Sequence, residues 1–231
     1  MFAALHASWR CGCTNLLLCD INVYSLIGIH RFSGVGPVRN TAAKTRRLIL
    51  EAADELFYGE GIRAAGVDAI AKRAGVTKRT LYYHFPSKDE LIAAYLDARD
   101  QPTLQRLKEA MNDEDLASSV RALFKLVGRS GTDPRWKGCA FIRVIHELAG
   151  QPGHPACVLA RRHKKALEQW FAERIDAAGI KQANERAREL LILLDGAITQ
   201  MLTHREPAYA DAALGAAFAS LGLESRARIR R

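Results

Sequence analysis

From Thr45 onward, apolar residues recur every three or four positions and are interrupted by short polar breaks carrying glycine or proline. No stretch of useful length alternates apolar and polar with period two, so the pattern predicts helices throughout and an all-α fold. A first helix is expected over about 45–58. There Ile49, Ala52, Ala53, Leu56 and Phe57 fall at i, i+3, i+4, i+7 and i+8 and form one buried stripe, with Gly59 and Gly61 as a left-handed stop. A short second helix is expected from an N-cap at Asp68 to a stop at Gly75, with Ile70 and Ala74 inward. The third follows a capping Thr77, places Leu81 and Phe85 on one face, and closes before Pro86. Ser87 and Glu90 read as a capping box for a fourth helix, expected to run to about Asp100, where Pro102 intervenes. Further helices are expected over about 103–112, 115–130, 137–149, 155–178, 184–204 and 207–221, with SGTDP and GQPGHP as the clearest breaks.

Composition narrows the class. With 231 residues, 48% hydrophobic and 26% charged, the chain has ordinary globular content. Its longest apolar runs, such as LLILL at 190–194, fall well short of the roughly 20 residues that span a bilayer, so no membrane partner is expected. A net charge of +9 leans toward a polyanion, although part of the excess lies in the tail RARIRR. Five cysteines, an odd number without regular spacing, suit a reduced cytoplasmic protein. Residues 1–40 keep no helical period. Asp20 and Asn22 interrupt the run that a signal peptide would need, and a native start near Val38 is the expectation. The chain therefore divides into an irregular extension over 1–40, a head over 41–91, a larger helical body over 92–223 and a basic tail over 224–231.

The densest chemistry lies in AIAKRAGVTKRTLYYHFPSKDEL, residues 69–91. Two short helices around a glycine turn suit a helix-turn-helix, whose second helix can enter a major groove. Ile70, Ala74, Val76, Leu81 and Phe85 would hold the unit together from inside. Lys78, Arg79 and Thr80 then suit base edges or phosphates, Tyr82 a thymine methyl or a phosphate, and Tyr83, His84 and Lys88 the backbone. Thr77 sits at the helix entry. Thr45 and Arg46, read as opening the first helix, would reach a flanking phosphate with help from its N-terminal dipole.

The run from about Thr45 to Leu96 resembles the DNA-binding domain of the tetracycline-repressor-like (TetR) family of bacterial regulators. The resemblance rests on ELF before a glycine, then IAKRAGV, then TLYYHFPSKDEL. It implies a three-helix DNA-binding head on an all-helical, ligand-binding and dimerising body. It also implies DNA contacts at Lys78, Arg79, Thr80, Tyr82, Tyr83, His84 and Lys88. At the entry to the second helix, where members often carry a phosphate-binding threonine, this chain has AAGVD. The implied partners are double-stranded operator DNA, a second copy of the chain and an unidentified small-molecule effector, with no cofactor.

In the body, the helix over 184–204 is apolar on more than one face, through Leu190, Leu191, Leu193, Leu194, Ala197, Ile198, Met201 and Leu202. With the Ala- and Gly-rich last helix it would pair with its copy as a four-helix dimer interface. Candidate pocket residues are Cys139, Phe141, Ile142 and His146 from KGCAFIRVIHELA, Trp170 opposite, and Asp195, whose carboxylate needs a partner such as His146, Arg143 or a ligand cation. Redox sensing at Cys139 beside Lys137 stands as an alternative, and so does a metal site among His146, His154, Cys157 and His163, whose spacing matches no standard zinc arrangement. A third is DNA binding by charge without sequence choice. No phosphate loop, nucleophile elbow or identifiable carboxylate pair is present, so no enzyme is expected.

Overall fold

The computed structural model describes residues 41–112 and 115–223. The readings made above for residues 1–40 and for the basic tail lie outside them. Among the described residues all regular structure is helical: α1 (Thr41–Glu60), α2 (Val67–Ala74), α3 (Lys78–His84), α4 (Lys88–Ala110), α5 (Leu116–Thr132), α6 (Ala140–Glu147), α7 (Pro155–Ala177), α8 (Ala183–His204) and α9 (Ala208–Leu221). None is long and apolar enough to cross a membrane.

The predicted stripe of α1 is buried at Ile49, Ala52, Ala53 and Phe57, with Leu56 half-buried. The helix runs through Gly59, and the break falls instead at Gly61, whose φ of 101° only glycine adopts without strain. α2 opens at Gly66 without a side-chain cap, so Asp68 lies in its first turn. It closes on Gly75 (φ 68°), where Gly75 N–H and Val76 N–H return to the carbonyls of Lys72 and Ala71. Thr77 and Ser87 do cap α3 and α4, accepting from the backbone N–H of Thr80 and Glu90.

Pro102 does not end the fourth helix. α4 continues through it to Ala110 and absorbs what the sequence suggests is a separate helix. A proline in a helix interior costs about 3 kcal/mol. Here the same helix buries Leu91, Ile92, Tyr95 and Leu96 on one side of the proline and Leu104 on the other. Each such side chain contributes about 1.5–3 kcal/mol, so an unbroken rod wins.

Two apolar cores result. One joins α1–α3 and the first half of α4 to α6 and the start of α7, through Phe141, Val144, Leu148 and Cys157. The other packs the end of α4 with α5, the rest of α7, α8 and α9. Position 91/92 therefore falls inside a helix that belongs to both cores. Gly131 marks a close crossing in the second core: a Cβ there would lie 2.9 Å from Met201 Cβ, an atom that a rotamer change cannot move away, so the close approach of α5 and α8 depends on a glycine at that point.

Candidate nucleic-acid interface and effector cavity

Burial of Leu81 and Phe85 against α1 and α2 fixes the roll of α3 and turns its other residues outward. Lys78, Arg79, Tyr82 and Tyr83 are exposed, Tyr83 at 81%, while Thr80 and His84 are half-buried. An 81% exposed tyrosine has no role in the core. Its ring lies edge-on to His84, with centroids 5.2 Å apart. Thr77 Oγ1 accepts from Thr80 N–H at 3.1 Å and shares a hydroxyl hydrogen bond with Thr80 at 2.8 Å, which pins the first turn of α3. Lys78 is held by Asp68 at 3.0 Å, and that hydrogen bond and charge raise its pKa. The side chain expected to cap α2 instead ties α2 to the start of α3. Lys88, at the start of α4, is half-buried, with Nζ 3.4 Å from the Arg63 carbonyl.

Thr45 and Arg46 stand differently from expectation. α1 is already helical at Thr41, so both lie a turn inside it, beyond the N-terminal amides that would have helped them. Thr45 donates to the Thr41 carbonyl at 2.9 Å, and Arg46 lies 4.7 Å over the Phe85 ring, which places it beside α3.

Between head and body lies a cleft with about 720 Å³ of atom-free space, the open solvent at its mouth included. Cys139 and Phe141 line it as expected, whereas Ile142, His146, Trp170 and Asp195 do not. α6 spans only two turns and rolls His146 out to solvent, and Trp170 packs under Lys108. Asp195 is half-buried and bonded to Lys164 at 2.5 Å rather than to His146 or Arg143, so its charge is already met by a lining residue. Arg143 donates instead to the Tyr58 carbonyl at 2.6 Å.

The cavity's polar side is built mainly by residues the sequence left unmarked. Arg99, Thr103 and Arg106 come from α4, Lys164 and His163 from α7, and Tyr58 from α1. Arg99, Thr103, Arg106 and Leu107 fall at i, i+4, i+7 and i+8, a face visible in sequence only if the helix is allowed through Pro102. Arg99 pairs with Asp54 and lies 4.5 Å over the Tyr58 ring. Burial opposes the Lys164 charge, but Cys139 and Asp195 outweigh it and raise the ammonium above its ordinary pKa. His163 stacks on Phe141, with centroids 3.6 Å apart, and its Nδ1 lies 2.7 Å from Asp100. Burial pulls its pKa below the ordinary 6.5 and Lys164 adds to this, while Asp100 opposes. The ring is therefore neutral at pH 7 and donates to the carboxylate.

His154 Nδ1 accepts from Ala156 N–H and caps α7, and Cys157 is packed in the first core. Among the described residues no three His, Cys, Asp or Glu side chains gather to hold a metal. Cys139 stands at the N-cap position of α6 without a side-chain cap, lines the cavity and is hydrogen-bonded with Lys164.

Two contacts join the body to the head, the first of them at the cavity wall. The Tyr58 hydroxyl accepts from Lys137 N–H at 3.0 Å and donates to the Gly138 carbonyl at 3.1 Å. Glu147, at the end of α6, accepts from Ile62 N–H (3.2 Å) and Arg63 N–H (2.9 Å), while Arg63 Nε donates to the Glu147 carbonyl at 2.8 Å. Nothing in the sequence pattern marked either residue.

A three-helix head that presents α3 across a glycine turn, set on a helical body enclosing a cavity, defines a helix-turn-helix regulator fold. Residues 49–95 match the model for bacterial regulatory proteins of the tetR family. The chain is 36% identical over 89 residues to the HTH-type transcriptional regulator TtgR of Pseudomonas putida, covering 38% of this chain and 42% of that protein. It is 39% identical over 87 residues to the HTH-type transcriptional activator FasR of Mycolicibacterium smegmatis, covering 36% and 40%. The chain thus spans less than half the length of these curated relatives. In structure it matches a TetR-family transcriptional regulator from Streptomyces coelicolor with a TM-score of 0.70 at 29% identity, over 78% of this chain and 95% of that one. A TetR-type regulator from Streptomyces avermitilis gives 0.67 at 28%, over 78% and 99%. Residues 49–95 are thus similar to the DNA-binding region of the tetR family, and the fold of the described residues is the one seen in TetR-family transcriptional regulators.

Proposed function

We propose that this protein is a cytoplasmic, DNA-binding transcriptional repressor that holds a palindromic operator as a homodimer and is released by a small-molecule effector. The observation that carries the reading is the outer face of α3, where Lys78, Arg79, Tyr82 and Tyr83 stand exposed on a helix whose roll the core has fixed. Thr80 and His84 flank that face, and Thr77 and Lys88 add contacts at either end. Arg46 contributes a phosphate contact beside them, with Thr45 on the same helix. The head over 41–91 carries nine Lys and Arg against seven Asp and Glu, so its net charge by itself favours DNA only slightly. Placement of particular side chains must supply the affinity.

Dimerisation is supported by α8 and α9. Ile192 is 64% exposed, and Gly196 below it and Gly215 on α9 face open space where an added Cβ would meet nothing within 4 Å. Exposed Ala208, Ala212, Ala216 and Ala219 continue a small-residue stripe on which a second copy can pack closely. The effector acts through the cavity: Tyr58, Gly138 and Cys139 form part of its wall, so a ligand that prefers one arrangement of that wall shifts the C-terminal end of α1 and with it α3.

Fluorescence anisotropy with DNA from immediately upstream of the gene, against scrambled DNA at several salt concentrations, tests the reading. Tyr82→Ala is expected to weaken specific binding about 10- to 100-fold, the worth of one good base or phosphate contact, and to leave the melting temperature unchanged. Equal binding to both DNAs with only a salt slope would reject operator recognition. Because FasR is named an activator, a promoter–reporter strain with and without the gene decides the sign of regulation.

A further inference from the structure

We propose that Asp68 sets the DNA affinity of the head by withholding Lys78, so that docking on DNA has to exchange a carboxylate of this chain for a phosphate. The inference rests on the reading of α3 as the DNA-facing helix and concerns how strongly that face binds. Lys78 Nζ lies 3.0 Å from Asp68 Oδ1 and 3.1 Å from Oδ2, between the two oxygens. Asp68 stands in the first turn of α2 and Lys78 is the first residue of α3, with the left-handed turn at Gly75 between them. Burial of Ile70, Ala71 and Leu81 holds the backbone that carries each side chain. The side chains themselves are 77% and 53% exposed, so the pair serves no core and lies on the surface that α3 presents.

The neighbouring cation is placed differently. Arg79 is exposed on the same turn of α3, and among the described residues no carboxylate is paired with it. Arg79 therefore meets DNA directly, whereas Lys78 arrives already neutralised. An exposed ion pair opens readily, so the exchange is allowed, but it leaves the Asp68 carboxylate beside the incoming phosphates without its cation. The residues leading into α2, Ala64, Ala65, Gly66 and Val67, carry no side-chain donor that would offset that charge. The penalty is electrostatic and falls on every DNA sequence alike. With nine Lys and Arg against seven Asp and Glu, the head has a surplus of two positive charges, and removing Asp68 raises it to three. Asp68 thus holds down the sequence-independent part of binding and leaves selection to the contacts of Arg79, Tyr82 and Tyr83.

Fluorescence anisotropy of the full chain tests this, with upstream and scrambled DNA titrated at several salt concentrations. Asp68→Asn keeps the shape of the side chain and removes its charge. It is expected to tighten binding to both DNAs about three- to tenfold near 0.1 M salt and to steepen the double-logarithmic salt slope by about one, the release of counterions from one further phosphate. Asp68→Glu should stay close to wild type. Lys78→Met should cost about three- to tenfold more in the Asp68→Asn background than in the wild-type chain, because only there is the ammonium free. Thermal melts of each variant check that the head stays folded. Unchanged affinity and slope in Asp68→Asn would overturn the inference, and so would weaker binding, which would mean that the carboxylate aims Lys78 at DNA. Equal binding of both DNAs by the wild type would overturn operator recognition instead and leave the Asp68 effect measurable on either DNA. Absence of binding by wild type and Asp68→Asn alike would overturn both.

Discussion

Glu147 offers the sharpest test of how head and body are joined. Its two carboxylate oxygens take the consecutive N–H groups of Ile62 and Arg63, 85 and 84 residues away in sequence. A hydrogen bond to a charged group contributes about 1.5–3 kcal/mol when buried. The Ile62 bond is partly buried and keeps much of that value, whereas the exposed Arg63 amide finds water and keeps about 0.5–1 kcal/mol. Glu147→Ala should therefore cost about 2–3 kcal/mol. Glu147→Gln, which keeps one acceptor oxygen, should cost roughly half of that. The bond from Arg63 Nε to the Glu147 carbonyl uses backbone and survives both changes. Urea denaturation followed by circular dichroism measures the cost, and native-state hydrogen exchange should show Ile62 and Arg63 amides losing protection ahead of the α7 and α8 amides. A loss below about 0.5 kcal/mol with unchanged exchange would refute the claim that this carboxylate holds the head to the body.

Three further outcomes follow from the same structure. Thr77→Ala removes the α3 cap and a partner of the Thr80 hydroxyl, and should lower stability by about 1 kcal/mol in thermal melts, with Thr77→Ser restoring most of it. The folded state holds the His163 pKa below the ordinary 6.5, so the unfolded chain binds that proton more readily; this group's contribution is complete above pH 6.5 and is lost as pH falls below it. Urea midpoints measured between pH 7.5 and 5.5 should therefore fall toward acid, and His163→Gln should flatten the slope. Ile192→Glu places a charge on the proposed dimer face without touching the core, and sedimentation equilibrium should show a dimer constant weakened about 100-fold or more, since each copy loses an apolar contact and buries a carboxylate.

The helical class and the shape of the head were legible in the chain because they rest on local rules. A 3.6-residue stripe at Ile49, Ala53 and Phe57, a left-handed glycine at Gly75 and capping hydroxyls at Thr77 and Ser87 each act within a few residues of themselves. The outward residues of α3 followed, since placing Leu81 and Phe85 inward leaves one face for everything else. Local rules failed where a distant partner outweighed them. Pro102 would stop a solitary helix, but two separate cores pull on the same rod, and the combined burial exceeds the cost of one missing N–H. Asp68 has the chemistry of a cap, but Lys78 lies within its reach and takes it.

Apart from Cys139 and Phe141, the lining of the cavity belongs to the tertiary structure. Its cations come from helices that meet only after folding, and Tyr58 and Glu147 act on backbone groups some 80 residues away, which no periodicity can indicate. The pattern of apolar residues fixes which face of each helix turns inward. Only the packing of one helix against another decides which polar side chains converge there, because that depends on the crossing of whole elements and not on the order of neighbours.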